Sequence, residues 1–470
     1  MTTSVVLCGL APHPAILLPE VGRGEERKVL ATRRAMDRLA SAFIDAGPET
    51  LLVITPHGPV FRDALSVRDE AELIGDLSGF GAPEVRVRYL NDSDLASALV
   101  RELSKDPSTP AVLLDRNTRS RYMIGDRLDH GVVVPVSFLA RKGFAGRMVV
   151  LNIGFLSLLD LYRAGIAVER ACRSLGRRVA VLCSGDLSHR LTRDAPAGYS
   201  PKGEVFDREL INLLRDFEPS KILTLPKDLI EEAGECGLRP IALMLGILDR
   251  VEVSSQVLSY EGPYGVGYSV ALFTPKGELK APRLDEINRK RQERMNSIRS
   301  GESYPVSLAR KAVEEYVKTG RIIGVPKDVP AEFLERGGVF VSIHKEGDLR
   351  GCIGTTEATT SSLAAEIISN AVSAAARDPR FEPVDSSELD YLDYSVDVLS
   401  PSEPVESLSD LDPKVYGVIC EKGRRRGLLL PDLPGVNTVE EQVSIAKRKA
   451  GIGEREKDVR LYRFKVTRYH

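Results

Sequence analysis

LLVITPHGPV, residues 51–60, decides how the first half of this chain is read. A short apolar run bounded by Thr55 and Pro56 reads as a buried strand, and it ends where His57 begins. A histidine just past a strand stands at a mouth, because ligands of open α/β sheets bind outside the carboxyl ends of the strands. The pattern recurs on either side. Residues 4–10 form an apolar run followed by Ala11-Pro12-His13-Pro14, and residues 179–183 are followed by Ser184-Gly185-Asp186-Leu187-Ser188-His189. Three strands thus deliver three histidines toward one rim.

Between the first two motifs, residues 24–46 place Val29, Leu30, Met36, Leu39, Ala42 and Phe43 near helical spacing, and Gly47-Pro48 is the stop. Strand, helix and strand in succession build a parallel sheet. Further strands are expected at 85–89, 111–114, 148–151 and 268–273, and helices at 94–103, 156–175 and 204–217. Arg127-Leu128-Asp129-His130-Gly131 precedes an apolar run, 132–139, that reads as another strand. Gly234-Glu235-Cys236-Gly237 reads as a turn ahead of a helix that Pro240 helps to start. The first region, 1–275, is therefore α/β, a mixed or parallel sheet flanked by helices.

Residues 276–300 are dense in charge and poor in apolar side chains, as a linker or a solvated helix would be. The second region, 301–470, opens with a helix over 305–319 and shows strands at 338–344, 349–354, 394–399 and 459–466. Helices are expected at 361–377 and 439–450, the latter announced by Thr438 with Glu441 three residues on, a capping box. Elements without regular alternation make this region α+β.

A chain of 470 residues exceeds one core, in keeping with two or three domains. The formal net charge of -2 argues against a dedicated nucleic-acid or anionic-membrane surface. The amino terminus has no basic stretch and its apolar run breaks at Pro12, which argues against a signal peptide or a span. Six cysteines without a CxxC pair read as reduced thiols, and the chain reads as cytoplasmic.

Imidazole is the commonest transition-metal ligand, and two neutral histidines with one anionic ligand leave positions open for substrate and oxygen. His13 and His57 share a context, each in a Pro-His turn after a buried strand. Together with Leu128-Asp129-His130-Gly131, Ser184 to Arg190 and Gly265-Val266-Gly267-Tyr268, these motifs resemble the class III extradiol dioxygenase superfamily, catalytic-subunit type, and its Memo-like relatives. The resemblance implies that His13 and His57 are metal ligands, Fe(II) being the usual metal, and that oxygen-dependent cleavage of a catechol-like diol is the reaction. It implies that His189 is the acid/base and that His130 lines the substrate site. Read from the residues alone, His189 could instead cap a helix after Asp186, and His130 could bond Asp129.

The third ligand departs from the ring-cleaving pattern. Those enzymes commonly use glutamate, whereas Cys236-Gly237-Leu238-Arg239-Pro240 is similar to the cysteine segment of the Memo branch, with Glu235 beside it. Either Cys236 or Glu235 is the candidate. Cys236 is favoured on the expectation that the following helix amino terminus lowers its thiol pKa. A softer site of this kind would hold zinc or copper as well as iron.

In the second region Leu349 to Thr355, Arg377-Asp378-Pro379-Arg380-Phe381 and Arg426 to Gln442 resemble the AMMECR domain. Arg350, Cys352 and Arg377 are its candidates for chemistry, as a thiol beside a guanidinium or as a fork for an anion. A packed cysteine and internal ion pairing are the alternatives. AMMECR and Memo-like proteins are associated with a radical S-adenosylmethionine enzyme, which makes such an enzyme the expected partner. The competing reading is a Memo-like module that binds metal for redox or scaffolding without cleaving a ring.

Overall fold

The computed structural model describes residues 4–433 and 435–470. The chain divides into two compact units, Met1–Ile287 and Asn288–His470. Among the described residues no helix is long and apolar enough to cross a membrane.

The strands of the first unit are β1 (Val5–Ala11), β2 (Thr50–Thr55), β3 (Leu65–Arg68), β4 (Glu72–Leu77), β5 (Ala82–Leu90), β6 (Ala111–Leu114), β7 (Arg127–Leu128), β8 (Arg147–Asn152), β9 (Val179–Ser184), β10 (Val251–Glu261) and β11 (Tyr268–Glu278). Eight of them form one sheet, ordered β10-β11-β1-β9-β2-β8-β3-β6, and β5-β4-β7 form another. The central strands β1, β9, β2 and β8 are all parallel, while β11 and β3 join them antiparallel. The helices used below are α1 (Leu30–Asp45), α2 (Ser93–Leu103), α3 (His130–Arg141), α4 (Leu158–Leu175), α5 (Pro201–Arg215), α6 (Leu238–Ile247) and α7 (Arg283–Ser300).

All six residues of β2 are buried, and its side chains alternate between two cores. Leu52 and Ile54 enter a layer with α2, α4, α5 and α6, whereas Leu51 and Val53 enter one with α1 and α3. Covering both faces is what lets a strand read as an unbroken apolar run. Residues 276–300 hold the last residues of β11 and then α7, whose Leu284 N–H donates to the Asp249 carboxylate at 2.7 Å.

One expected strand is corrected. Residues 132–139 lie inside α3, and every residue from Gly131 to Leu139 is buried. A segment enclosed on all sides shows no polar face, so neither period is visible, and a run of valines around Pro135 passes for a strand. A strand that went unread has the opposite cause: in β10 only Val251 is buried and four of the eleven residues are exposed, so its polar composition hides it.

The second unit is antiparallel sheet with helices. Its strands are β12 (Val339–Lys345), β13 (Asp348–Thr355), β14 (Leu392–Leu399), β15 (Glu403–Pro404), β16 (Gly417–Lys422), β17 (Arg425–Leu429), β18 (Arg460–Phe464) and β19 (Val466–Tyr469). They form two sheets, β13-β12-β14-β19 and β15-β18-β16-β17. Helices α8 (Tyr304–Thr319) and α9 (Leu363–Ala376) share a core with the first sheet, and α10 (Val439–Lys449) packs on the second. The capping box of α10 is present: Glu441 N–H donates to Thr438 Oγ1 at 3.2 Å and Thr438 N–H to Glu441 Oε2 at 3.0 Å. The closing run 459–466, expected as one strand, is two. The break falls at Lys465, whose backbone is held on both sides by Ser400, so β18 and β19 serve different sheets.

Candidate metal centre

Because β9 lies between β1 and β2 and all three are parallel, their carboxyl ends open on one edge. His13 follows β1, His57 follows β2, and Asp186 and His189 follow β9. Two helix starts complete the ring of side chains. His130 is the first residue of α3, and Cys236 lies in the turn that leads into α6. That turn reaches the sheet because glycines face each other: a Cβ on Gly185 would stand 2.4 Å from the Gly237 Cα.

The Nε2 atoms of His13 and His57 are 2.8 Å apart, with their rings edge to face at 85°. Cys236 Sγ lies 3.7 Å from His13 Nε2 and 3.7 Å from His189 Nε2. Asp186 Oδ2 is 3.6 Å from His13 Nε2, and its Oδ1 accepts the His13 backbone N–H at 3.0 Å. His130 stacks on His57 with ring centroids 4.7 Å apart, and Phe80 stands 5.3 Å from the His130 ring. His13 and Asp186 are buried, Cys236 and His130 are half-buried, and His57 opens to solvent.

Burial dominates the protonation of these groups. It lowers His13 well below the usual imidazole value, helped by His57, His130 and His189, and it lowers His189 as well. It raises the Asp186 carboxyl to about 7. Cys236 corrects an expectation: its thiol is raised well above its ordinary value, by burial first and then by the Asp186 carboxylate. The helix amino terminus that was expected to lower it is engaged elsewhere, since Leu238 N–H donates to Glu235 Oε2. Only a cation among these donors would favour the thiolate.

The donor set fits a metal ion. Ligand atoms that share one ion at about 2.0 to 2.3 Å stand about 3 to 4 Å from one another, which is the spacing of His57, Cys236 and Asp186 around His13 Nε2. Among the described residues two groups have ligand atoms that converge within 4.8 Å, His13 with His57 and His130, and His13 with Asp186 and Cys236. Of the two candidates for a third ligand, Cys236 turns toward the imidazoles and Glu235 toward the α6 backbone. No helix follows Asp186 for His189 to cap. Sequence reasoning passed over Asp186 as a ligand and Ser184 as its neighbour, although both lie in the quoted motif. An acid and a hydroxyl at a strand end between glycine and histidine were the available signal.

In the second unit two of the three candidates, Arg350 and Cys352, are engaged by protein groups. Arg350 forks onto Glu388 at 3.1 and 2.9 Å and also donates to the Glu382 carbonyl. Cys352 N–H donates to Asp378 at 2.9 Å, and Arg380 forks onto the same carboxylate at 3.0 and 2.7 Å. Arg377 is exposed at the end of α9.

Two family models match separate stretches of the chain. Residues 306–469 match the AMMECR1 family. A protein of Clostridium acetobutylicum is 40% identical over 462 residues, 98% of either chain, and a Thermotoga maritima protein is 56% identical over 171 residues, 36% of this chain and 98% of its own. Among solved structures, an uncharacterized Pyrococcus horikoshii protein is 37% identical with a TM-score of 0.33, covering 35% of this chain and 88% of that one. An uncharacterized Escherichia coli K12 protein is 15% identical with a TM-score of 0.39, covering 57% and 99%. Residues 7–271, more than half of the sequence, match the catalytic LigB subunit of aromatic ring-opening dioxygenase, and the chain belongs to that family, fused to an AMMECR1 domain.

Proposed function

We propose that His13, His57 and Cys236 hold one Fe(II) ion and that the first unit uses it, with dioxygen, to cleave a catechol-like diol. The observation that supports this most is the 2.8 Å approach of two imidazole nitrogens beside a thiol 3.7 Å away, at the carboxyl edge of a parallel sheet. Ferrous ion held by these residues would supply the chemistry for binding a diol and activating dioxygen. The protein's part is binding and proton handling. His189, kept neutral by burial, offers Nε2 as the base that takes a hydroxyl proton from the diol at the mouth. His130, stacked on His57 and flanked by Phe80, forms an aromatic wall against which a planar ring lies. Buried His13 and Asp186 keep water from the inner side.

A second reading is favoured by the side chain that faces the imidazoles. A cysteine in place of glutamate makes a softer donor set, suited also to zinc or copper, and fits a redox or scaffolding module that serves a radical S-adenosylmethionine enzyme. One experiment separates the two. The full chain is purified without oxygen, loaded with Fe(II), analysed for metal and placed in an oxygen electrode with a panel of catechols. Near-stoichiometric iron and oxygen uptake are expected. Full metal retention by a His13→Ala, His57→Ala double variant would overturn the metal centre, and bound iron without oxygen uptake would leave the second reading.

A further inference from the structure

We propose that Ser184 is a positioning residue that fixes the ring proton of His13 on Nδ1, and that Pro135 is what commits Ser184 to this. The inference rests on the reading of His13 as a ligand. A serine hydroxyl has one hydrogen to give and two lone pairs to accept with. Ser184 Oγ lies 2.5 Å from the Gly131 carbonyl oxygen and 2.9 Å from His13 Nδ1. The carbonyl carries no hydrogen, so two oxygens that close are held together by the hydrogen of Ser184. With that hydrogen directed at Gly131, the hydroxyl can only accept from the imidazole. His13 therefore bears N–H at Nδ1 and presents a lone pair at Nε2, the atom that faces His57, Cys236 and Asp186.

The demand of the Gly131 carbonyl comes from α3 itself. In an α-helix the carbonyl of residue 131 is taken by the N–H of residue 135. Here residue 135 is proline, inside the helix, and proline has no N–H. The freed carbonyl is buried, and a buried acceptor without a donor is costly. Ser184, at the end of β9 and 0% exposed, supplies the donor from the neighbouring sheet. A proline in one element thus sets a proton in another, through a hydroxyl that touches both.

The setting matters because an imidazole ligates only through its unprotonated nitrogen, and the group on the other nitrogen chooses which that is. Asp186 Oδ2, 3.6 Å from Nε2, pulls the other way, since a carboxylate there attracts a proton to Nε2. The Ser184 relay opposes it. The Asp129 carboxylate accepts from Thr55 Oγ1 at 3.2 Å.

The test reads the proton directly. The full chain, with 15N-labelled histidine and stripped of metal, is studied by long-range 1H–15N correlation, and the His13 signals are assigned by their loss in His13→Asn. A protonated Nδ1 and a bare Nε2 are expected in the unaltered chain. Ser184→Ala is expected to abolish that preference and to weaken Zn(II) binding, measured by chelator competition, by about 10- to 100-fold. Pro135→Ala returns an N–H to Gly131 and favours the helix, so it is expected to shift both readouts the same way by less. A proton on Nε2 in the unaltered chain overturns the proposal, as does an unchanged tautomer with unchanged affinity in a folded Ser184→Ala variant. Since the tautomer is read without any ion, a chain that binds no metal would sink the proposed function while leaving this result to stand or fall alone.

Discussion

Cys236 and Cys352 each stand beside an aspartate, and their surroundings differ in where the hydrogen-bonding capacity goes. Around Cys236 it converges: three imidazoles, a carboxylate and a thiol point at a common space, and burial drives each toward its neutral form. Around Cys352 it is closed within the protein. Asp378 accepts the Cys352 N–H, Arg380 forks onto Asp378 and donates to the Cys352 carbonyl at 3.2 Å, and Arg380 holds the carboxyl well below the usual carboxylate range. β13 is an outer strand of its sheet, so these two side chains occupy the backbone groups that another strand would seek. Acid, base and thiol in proximity form a candidate metal centre in one unit and a guarded edge in the other.

Exchanging each sulfur for oxygen is the strongest way to break this comparison. Cys236→Ser is expected to weaken Fe(II) or Zn(II) binding by at least about 100-fold, whereas Cys352→Ser should leave it unchanged. Chelator competition on both variants measures this, and equal losses would erase the distinction. Next comes Asp378→Ala, which strands the Cys352 N–H and leaves Arg380 without its fork. Urea unfolding of the second unit is expected to show a loss of about 2 to 3 kcal/mol, with metal binding intact. A neutral result would mean that the edge is not guarded by this pair.

The smallest effect sharpens the picture through pH. Burial pushes Glu388 up, but the Arg350 fork, the Asp385 N–H and Lys345 outweigh it and hold the carboxyl at about 2, below its ordinary value near 4.5. A depressed acid adds stability above its unfolded pKa and loses it as pH falls through the folded one. The full shift would be worth about 3 kcal/mol, and solvent screening around the partly exposed Lys345 brings the expected cost of Glu388→Gln at pH 7 to the order of 1 to 2 kcal/mol. The gap to the unaltered chain should close between about pH 4.5 and pH 2 in the same urea experiment. A gap that stays constant with pH would assign the loss to packing instead.

Much of the first unit was legible because buried strands ending in proline announce both an element and its mouth. Val53 and Ile54 followed by Pro56-His57 carry that information within a few residues. What stayed hidden is long-range. Nothing local says that β9 inserts between β1 and β2, and only that insertion sets Asp186 beside His13. Cys236 was favoured over Glu235 in sequence on a thiol argument that burial reverses; what separates them is which backbone N–H one of two adjacent turn residues captures. The valines of α3 deceived because enclosure removes the polar face that distinguishes a helix from a strand. In the second unit Arg350 was visible as a charge, but its partner Glu388 arrives from another segment.

The separation of the donors along the polypeptide has a consequence for inheritance. His13 and Cys236 are 223 positions apart, and His57 is 44 from His13. No short segment carries the centre, so it cannot be transplanted as a cassette or survive on a proteolytic fragment of the unit. A lineage that keeps this cluster of donors must keep nearly the whole α/β unit with it, because His13, His57 and Asp186 follow three different central strands.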